Sequence, residues 1–250
     1  MDFLFISIIG MIVGSFLNVC IYRISREESI LYPQSHCGIC NNRLKPMDLI
    51  PLISYIFLRG KCRYCGEKIP LRYPIIEIFN CILYLIVYWK CGFSILTVKF
   101  CILASLLIVI GLIDYSTQDV YTSTTLFGLV IGLIFIAIQY FIYKESVSNL
   151  FIGGLIGILL IGSIVFFTKG MGEGDIEIAG VCGLFLGVKG IFLALFLGIM
   201  LCGLLGIIIL ISKFKNAEDR IAFGPFIGIG TMICVLGGNE IINWYLNLLM

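Results

Sequence analysis

Charge is scarce in this chain. Asp, Glu, Lys and Arg make up 13% of its 250 residues, about half the share found in a soluble globular domain. Hydrophobic residues make up 60%, and the mean hydropathy is +1.09. That balance excludes an ordinary water-soluble fold. Histidine is nearly missing as well: His36 is the only one, so catalytic chemistry has to be sought in other side chains. No Gly-rich strand-to-helix nucleotide fingerprint occurs. The net charge of +2 says nothing about nucleic acid, since membrane topology explains the basic residues, and no nucleic-acid partner is expected. Before the first apolar run there is no basic segment, and no small-residue cleavage pattern precedes Arg23, so that run reads as a retained helix rather than a secretory signal.

What the chain does have is apolar runs. A bilayer core about 30 Å thick needs roughly 20 mainly apolar residues per helix. Such runs lie at about 2–22, 74–92, 97–113, 120–143, 148–168, 190–212 and 221–248, with a shorter one at 176–189. They predict an all-α polytopic membrane protein of about eight transmembrane helices. Residues 1–22 form its first helix, 23–73 a small polar insertion and 74–250 the main membrane domain. Segment 23–73 carries nine Lys and Arg, and placing it in the cytoplasm by the positive-inside rule brings Lys169, Lys213, Lys215 and Arg220 to the same side. Only Lys90, Lys99, Lys144 and Lys189 then lie outside.

Of eleven cysteines, Cys20, Cys81, Cys91, Cys101, Cys182, Cys202 and Cys234 fall in or beside apolar runs, where a thiol acts as a small hydrophobe. The other four form two C-x-x-C pairs, Cys37 with Cys40 and Cys62 with Cys65, separated by 21 residues. Two such knuckles supply four thiolates for a tetrahedral ion, zinc first and iron as the alternative. A disulfide framework suits the cytoplasmic side poorly, because thiols stay reduced there. Four protein ligands leave no open coordination position, so the metal is expected to be structural; a loop this small has too little core to fold unaided.

Acidic residues stand where the apolar runs stop. Asp114 closes the third run, and Asp175 opens the short sixth, directly after Gly170, Gly172 and Gly174. The topology brings both to the cytoplasmic face. An ionisable residue at such a depth is a functional candidate by default, and two facing carboxylates can share one proton, the basis of aspartic proteolysis without metal, histidine or nucleophilic side chain. The glycines would let a peptide strand approach the acids, which makes Gly172 and Gly174 candidate substrate contacts. Asp119 is the first substitute for Asp114. Glu173 and Glu177 are further competitors, and Glu77 is an intramembrane acid that pairs with Arg72 or lines the substrate path. Paired acids also serve proton-coupled transporters; the repeated half-chains expected of those are not found.

Taken together, the blocks GSFLNVCIYR (14–23), IPLISYIFLRGKCRYC (50–65), RYPIIE (72–77), LID (112–114) and GMGEGD (170–175) resemble the type IV prepilin peptidases, leader peptidases and N-methyltransferases of the GxGD aspartic protease class. The resemblance implies that Asp114 and Asp175 are the catalytic pair of a protease domain in 74–250. It implies cleavage of type IV prepilin or pseudopilin precursors after a glycine at the inner face of a bacterial inner membrane. S-adenosylmethionine-dependent methylation of the new N-terminus would follow, with the insertion and its flanks as the region concerned. Glu27, Glu28 and Glu173 could meet a basic leader. Unlike members of that family, this chain has no proline in the stretch after Asp114, YSTQDVYTS.

Overall fold

The structure, a computed structural model, describes residues 1–144, 146–168, 171–212 and 221–249. Gly170 and the basic residues Lys169, Lys213, Lys215 and Arg220 lie outside the described residues. Eight α-helices occur among the described residues: α1 (Asp2–Ile24), α2 (Ile53–Phe57), α3 (Arg72–Cys91), α4 (Ile95–Thr117), α5 (Thr122–Phe141), α6 (Ser148–Thr168), α7 (Glu173–Ser212) and α8 (Gly224–Leu249). All but the short α2 are long and apolar enough to cross a membrane, giving seven spans among the described residues. Eight runs are expected from hydropathy, and α7 accounts for the difference. It joins the runs 176–189 and 190–212 across a break at Gly187, whose φ of 74° and ψ of −177° are not helical. Only glycine adopts that conformation without strain. Asn149 of α6 meets the break, its Oδ1 accepting the Val188 N–H at 3.3 Å, so one backbone donor freed from the helix is satisfied inside the protein, as an apolar solvent requires.

The chain divides into two compact units, Met1–Ser105 and Leu106–Met250. In the first, α1 packs on α3 through Gly10 and Gly14. A Cβ on Gly10 would stand 2.9 Å from Cys81 Cα, and one on Gly14 would stand 2.8 Å from Glu77 Cα. Glycines four residues apart lie on one helix face, which lets two backbones approach in an apolar medium. Polar groups fill the seam: Asn80 donates to the Gly10 carbonyl at 2.7 Å, and Ser105 donates to Asn80 Oδ1 at 2.9 Å.

The second unit is built on α7. Gly153, Gly154 and Gly157 of α6 face Ala179, Gly180, Gly183 and Gly187 of α7, and a Cβ on Gly153 would lie 2.6 Å from the Gly187 carbonyl carbon. Gly198 and Gly230 let α7 and α8 approach in the same way. The Gly183→Val variant puts a branched side chain against the Gly153 carbonyl. We expect it to lower the unfolding midpoint of the purified protein in detergent by the equivalent of roughly 1–3 kcal/mol; an unchanged midpoint would show that the two helices are not in backbone contact.

Candidate active site

The end of α4 delivers Asp114 and then unwinds. Ser116 and Thr117 turn their hydroxyls back to the Ile113 carbonyl at 3.0 and 2.9 Å, which competes with continued helix. Gln118, at φ 60°, donates its N–H to the Asp114 carbonyl at 2.8 Å. Exposed Asp119 and half-buried Val120 then lead into α5.

At the start of α7, Asp175 lies in the first turn and caps it. Its Oδ2 accepts the Gly172 N–H at 3.0 Å, while its own N–H donates to the Gly172 carbonyl at 3.1 Å. Val120 rests against Gly174, where any Cβ would overlap the valine side chain, so the connection after Asp114 and the turn bearing Asp175 touch. Among the described residues Gly172 and Gly174 do not have positive φ. Gly174 is small because of this packing; Gly172 is exposed, and a Cβ there would meet Asp175 Oδ2 at an ordinary 3.8 Å.

A third element closes the site. The Gly224 N–H, at the head of α8, donates to Asp114 Oδ2 at 2.7 Å across 110 residues of sequence. A Cβ on Gly224 would stand 2.7 Å from that oxygen and 3.3 Å from Ile178 Cδ1, one turn beyond Asp175 on α7. The end of α4 and the heads of α7 and α8 therefore converge. Asp114 and Asp175 are each 5% exposed, and they interact electrostatically. Each presents Oδ2 to a backbone N–H at a helix N-terminus, where donors without helical partners and the helix dipole suit a carboxylate. The competing acids are engaged elsewhere or exposed: Glu177 accepts the Thr125 hydroxyl of α5, and Asp119 and Glu173 are exposed.

In the first unit, the Sγ atoms of Cys37, Cys40, Cys62 and Cys65 lie within 4.8 Å of one another, with Cys37 and Cys65 at 3.8 Å. A tetrahedral zinc with Zn–S bonds near 2.3 Å places its sulfurs about 3.8 Å apart, so the donor set fits zinc. The two knuckles are alike. The Cys37 N–H donates to the Asn42 carbonyl at 3.0 Å, and the Cys62 N–H to the Glu67 carbonyl at 2.7 Å. Each knuckle turns at a left-handed residue four positions after its first cysteine, Asn41 at φ 54° and Gly66 at φ 74°. Cys40 is held below the ordinary thiol range, first by the Asn42 backbone N–H. Cys65 is pulled down by the Glu67 N–H, but desolvation and the three neighbouring thiols push it up to about 12. The Arg63 guanidinium, bonded to Asp48 at 2.7 Å, holds that carboxyl below its usual range and ties the second knuckle to the turn Pro46–Leu49. His36 turns its Nδ1 to the Gln34 carbonyl at 3.0 Å, away from the set.

Beside the thiols, the first unit forms a partly open cavity of about 420 Å³ whose walls include Ser15, Asn18, Arg23, Tyr55, Cys62 and Glu77. Glu77, 7% exposed, accepts the Leu52 N–H at 2.8 Å and a hydrogen bond from Ser15. Arg72 is not its partner and lies over the Tyr73 ring, 5.3 Å from the centroid.

Two family models match the chain: the bacterial Peptidase A24 N-terminal domain over residues 8–91, and the type IV leader peptidase family over residues 101–207. The chain is similar to a prepilin leader peptidase/N-methyltransferase of Bacillus subtilis (strain 168), 30% identical and covering 96% of both chains. Similar proteins of the same description occur in Pseudomonas aeruginosa, 30% identical over 96% of this chain and 91% of the other, and in Pseudomonas putida, 29% identical over 94% and 90%. The chain belongs to the type IV leader peptidase family. No solved structure matches it.

In this family member, the block 14–23 has clear structural work. Gly14 admits the α3 backbone, Asn18 donates to the Gly14 and Tyr73 carbonyls, and buried Arg23 gathers the carbonyls of Ser29, Ile30 and Pro33 at the start of the insertion. Sequence reasoning missed Gly224, Val120 and Thr125. For Gly224 one signal was available: the Gly-Pro pair opening the last apolar run marks a helix start, although nothing local says which side chain that start will meet.

Proposed function

We propose that Asp114 and Asp175 are the catalytic pair of an aspartic endopeptidase that removes the leader of type IV prepilin or pseudopilin precursors after a glycine, at the cytoplasmic face of a bacterial inner membrane. The observation that carries this reading is the convergence of two buried, interacting carboxylates, each tied through Oδ2 to a helix-head N–H. Holding each acid by one oxygen leaves Oδ1 for water and the peptide. Since facing carboxylates do not both ionise at neutral pH, one keeps a proton. The charged acid takes a proton from water as the water attacks the scissile carbonyl; the protonated acid polarises that carbonyl and then protonates the leaving amine. Gly172 and Gly174 border the acids on the side of α7, and exposed Glu27, Glu28 and Glu173 are carboxylates a basic leader can meet.

The N-methyltransferase named for the relatives supports a second step, methylation of the exposed N-terminus. S-adenosylmethionine would supply an electrophilic methyl group: the amine electron pair forms N–C, the S–C pair returns to sulfur to leave a thioether, and the amine proton passes to water. Zinc held by Cys37, Cys40, Cys62 and Cys65 would be structural.

The test is mass spectrometry of a pilin-like precursor incubated with the purified protein and S-adenosylmethionine. A product shortened after glycine and heavier by one methyl group supports both steps, whereas an intact precursor overturns the peptidase. Gly224→Ala is expected to slow cleavage by about 10²-fold, because its Cβ displaces the Asp114 carboxylate, and misplacement near 1 Å has an effect of that order. An unchanged rate would separate Gly224 from the chemistry.

A further inference from the structure

The insertion turns apolar side chains outward. In α2, Ile53, Ile56 and Phe57 follow the spacing that puts side chains on one helix face, and all three are exposed, Ile56 at 71% and Phe57 at 83%. The opposite side of the helix, Ser54, Tyr55 and Leu58, is half-buried and lines the cavity of the first unit. Met47 and Ile50, in and just after the turn Pro46–Leu49 that packs on α2, are exposed as well. The segment is thus more apolar outside than inside. Contiguous exposed apolar surface marks a contact with another protein or with a membrane.

Depth and charge favour the membrane. The Leu52 N–H, at the head of α2, donates to Glu77 Oε2 at 2.8 Å. Glu77 belongs to the spanning helix α3, about 7 Å past Arg72 at 1.5 Å per residue. The head of α2 is therefore tied to the second turn of a membrane span, and interfacial helices bury their apolar face to the same depth, about 5–10 Å into the headgroup and acyl boundary. Cations flank the segment. Lys45 precedes it, Arg59 and Lys61 follow it, and all three are exposed. Asp48 is paired with Arg63, which leaves Glu67 as the exposed acid of 45–71. Such a rim suits anionic headgroups, because long basic side chains reach from an apolar face to the phosphates. The basic leader of a prepilin would be repelled by the same rim.

We propose that residues 46–58, centred on α2, form an interfacial anchor in the leaflet that α3 enters, with Ile53, Ile56 and Phe57 among the upper acyl chains and Lys45, Arg59 and Lys61 on the phosphates of anionic phospholipid. The anchor does not depend on the peptidase or methyltransferase reading. It ties the second thiol knuckle to the bilayer, because Gly60, two residues before Cys62, donates its N–H to the Tyr55 carbonyl of α2 and accepts the Ile69 N–H from beyond the knuckle, both at 2.8 Å.

The test places the unaltered full-length protein in nanodiscs of phosphatidylglycerol or of phosphatidylcholine, each doped with a phospholipid carrying a diazirine near the top of one acyl chain, and maps the light-induced adducts by mass spectrometry. Adducts are expected on residues 46–58 in phosphatidylglycerol, beside those on α1 and α3 that serve as the internal reference. Ile56→Ser with Phe57→Ser changes only outward side chains and should lower the yield on 46–58 at least about tenfold relative to that reference, as loss of two buried apolar side chains requires. Arg59→Gln with Lys61→Gln should lower it by about fivefold or more in phosphatidylglycerol and leave it unchanged in phosphatidylcholine. Reference adducts with none on 46–58 overturn the anchor, as does a yield that the Ile56 and Phe57 substitutions leave unchanged. Chain-to-chain cross-links at α2 in place of lipid adducts also overturn it and assign the face to a second copy. The map of the unaltered chain decides the matter should a variant misfold.

Discussion

Replacing either Asp114 or Asp175 by Asn is expected to slow precursor cleavage by about 10³-fold or more, because the general acid–base pair is lost. The double variant should be little worse than either single one, since groups that act as a unit are far from additive. Asparagine keeps an oxygen able to accept the Gly224 or Gly172 N–H, so the convergence of α4, α7 and α8 is expected to survive, and the unfolding midpoint should stay close to that of the parent. Asp119→Asn is the decisive companion. Asp119 is exposed in the turn after α4, and its variant should cleave nearly as well as the parent. A result with Asp119 essential and Asp114 dispensable would move the site by five residues and undo the account of Gly224. The measurement is single-turnover cleavage of a precursor under saturating enzyme, which separates chemistry from product release.

The second large effect concerns the metal. Cys62→Ser removes one of four sulfurs that lie within 4.8 Å of one another. Binding of structural zinc is worth about 10–16 kcal/mol in small zinc domains, and that binding energy is folding energy. The insertion buries little apolar surface of its own: Ile39, Met47, Ile53, Ile56 and Phe57 are all exposed. Loss of the metal should therefore unfold it, while the membrane helices, held by their own backbone hydrogen bonds and the bilayer, remain. The purified parent should contain stoichiometric zinc without colour, whereas iron would give a coloured protein. The Cys62→Ser variant should contain little metal and be cut by protease within residues 25–71 far faster than the parent. A variant that loses zinc yet resists protease would show that the insertion folds without it.

Much of this protein was legible before any coordinates. Hydropathy marked the membrane helices because an apolar solvent leaves a chain few options beyond continuous helix. The two C-x-x-C pairs marked the thiol cluster, since each knuckle is a local turn whose geometry is set within a few residues. Asp114 and Asp175 stood out because charge at the end of an apolar run is conspicuous. The break at Gly187 was less clear. Hydropathy separates the runs 176–189 and 190–212, but glycines are common throughout this chain, and only the backbone geometry shows which of them leaves the helix. The substrate-facing part assigned to Gly174 was inferred from its neighbours in sequence; the packing of Val120 gives another reason for its small size.

Composition and local pattern alone determined that the chain is a helical membrane protein with a four-thiol knuckle pair and acids at the ends of its spans, because each of those properties depends on residues close together in the chain. Tertiary structure decided which helix head holds Asp114 from 110 residues away, and that the connection after Asp114 packs on the turn bearing Asp175. Contacts between distant segments leave no periodicity behind, so no local pattern announces them.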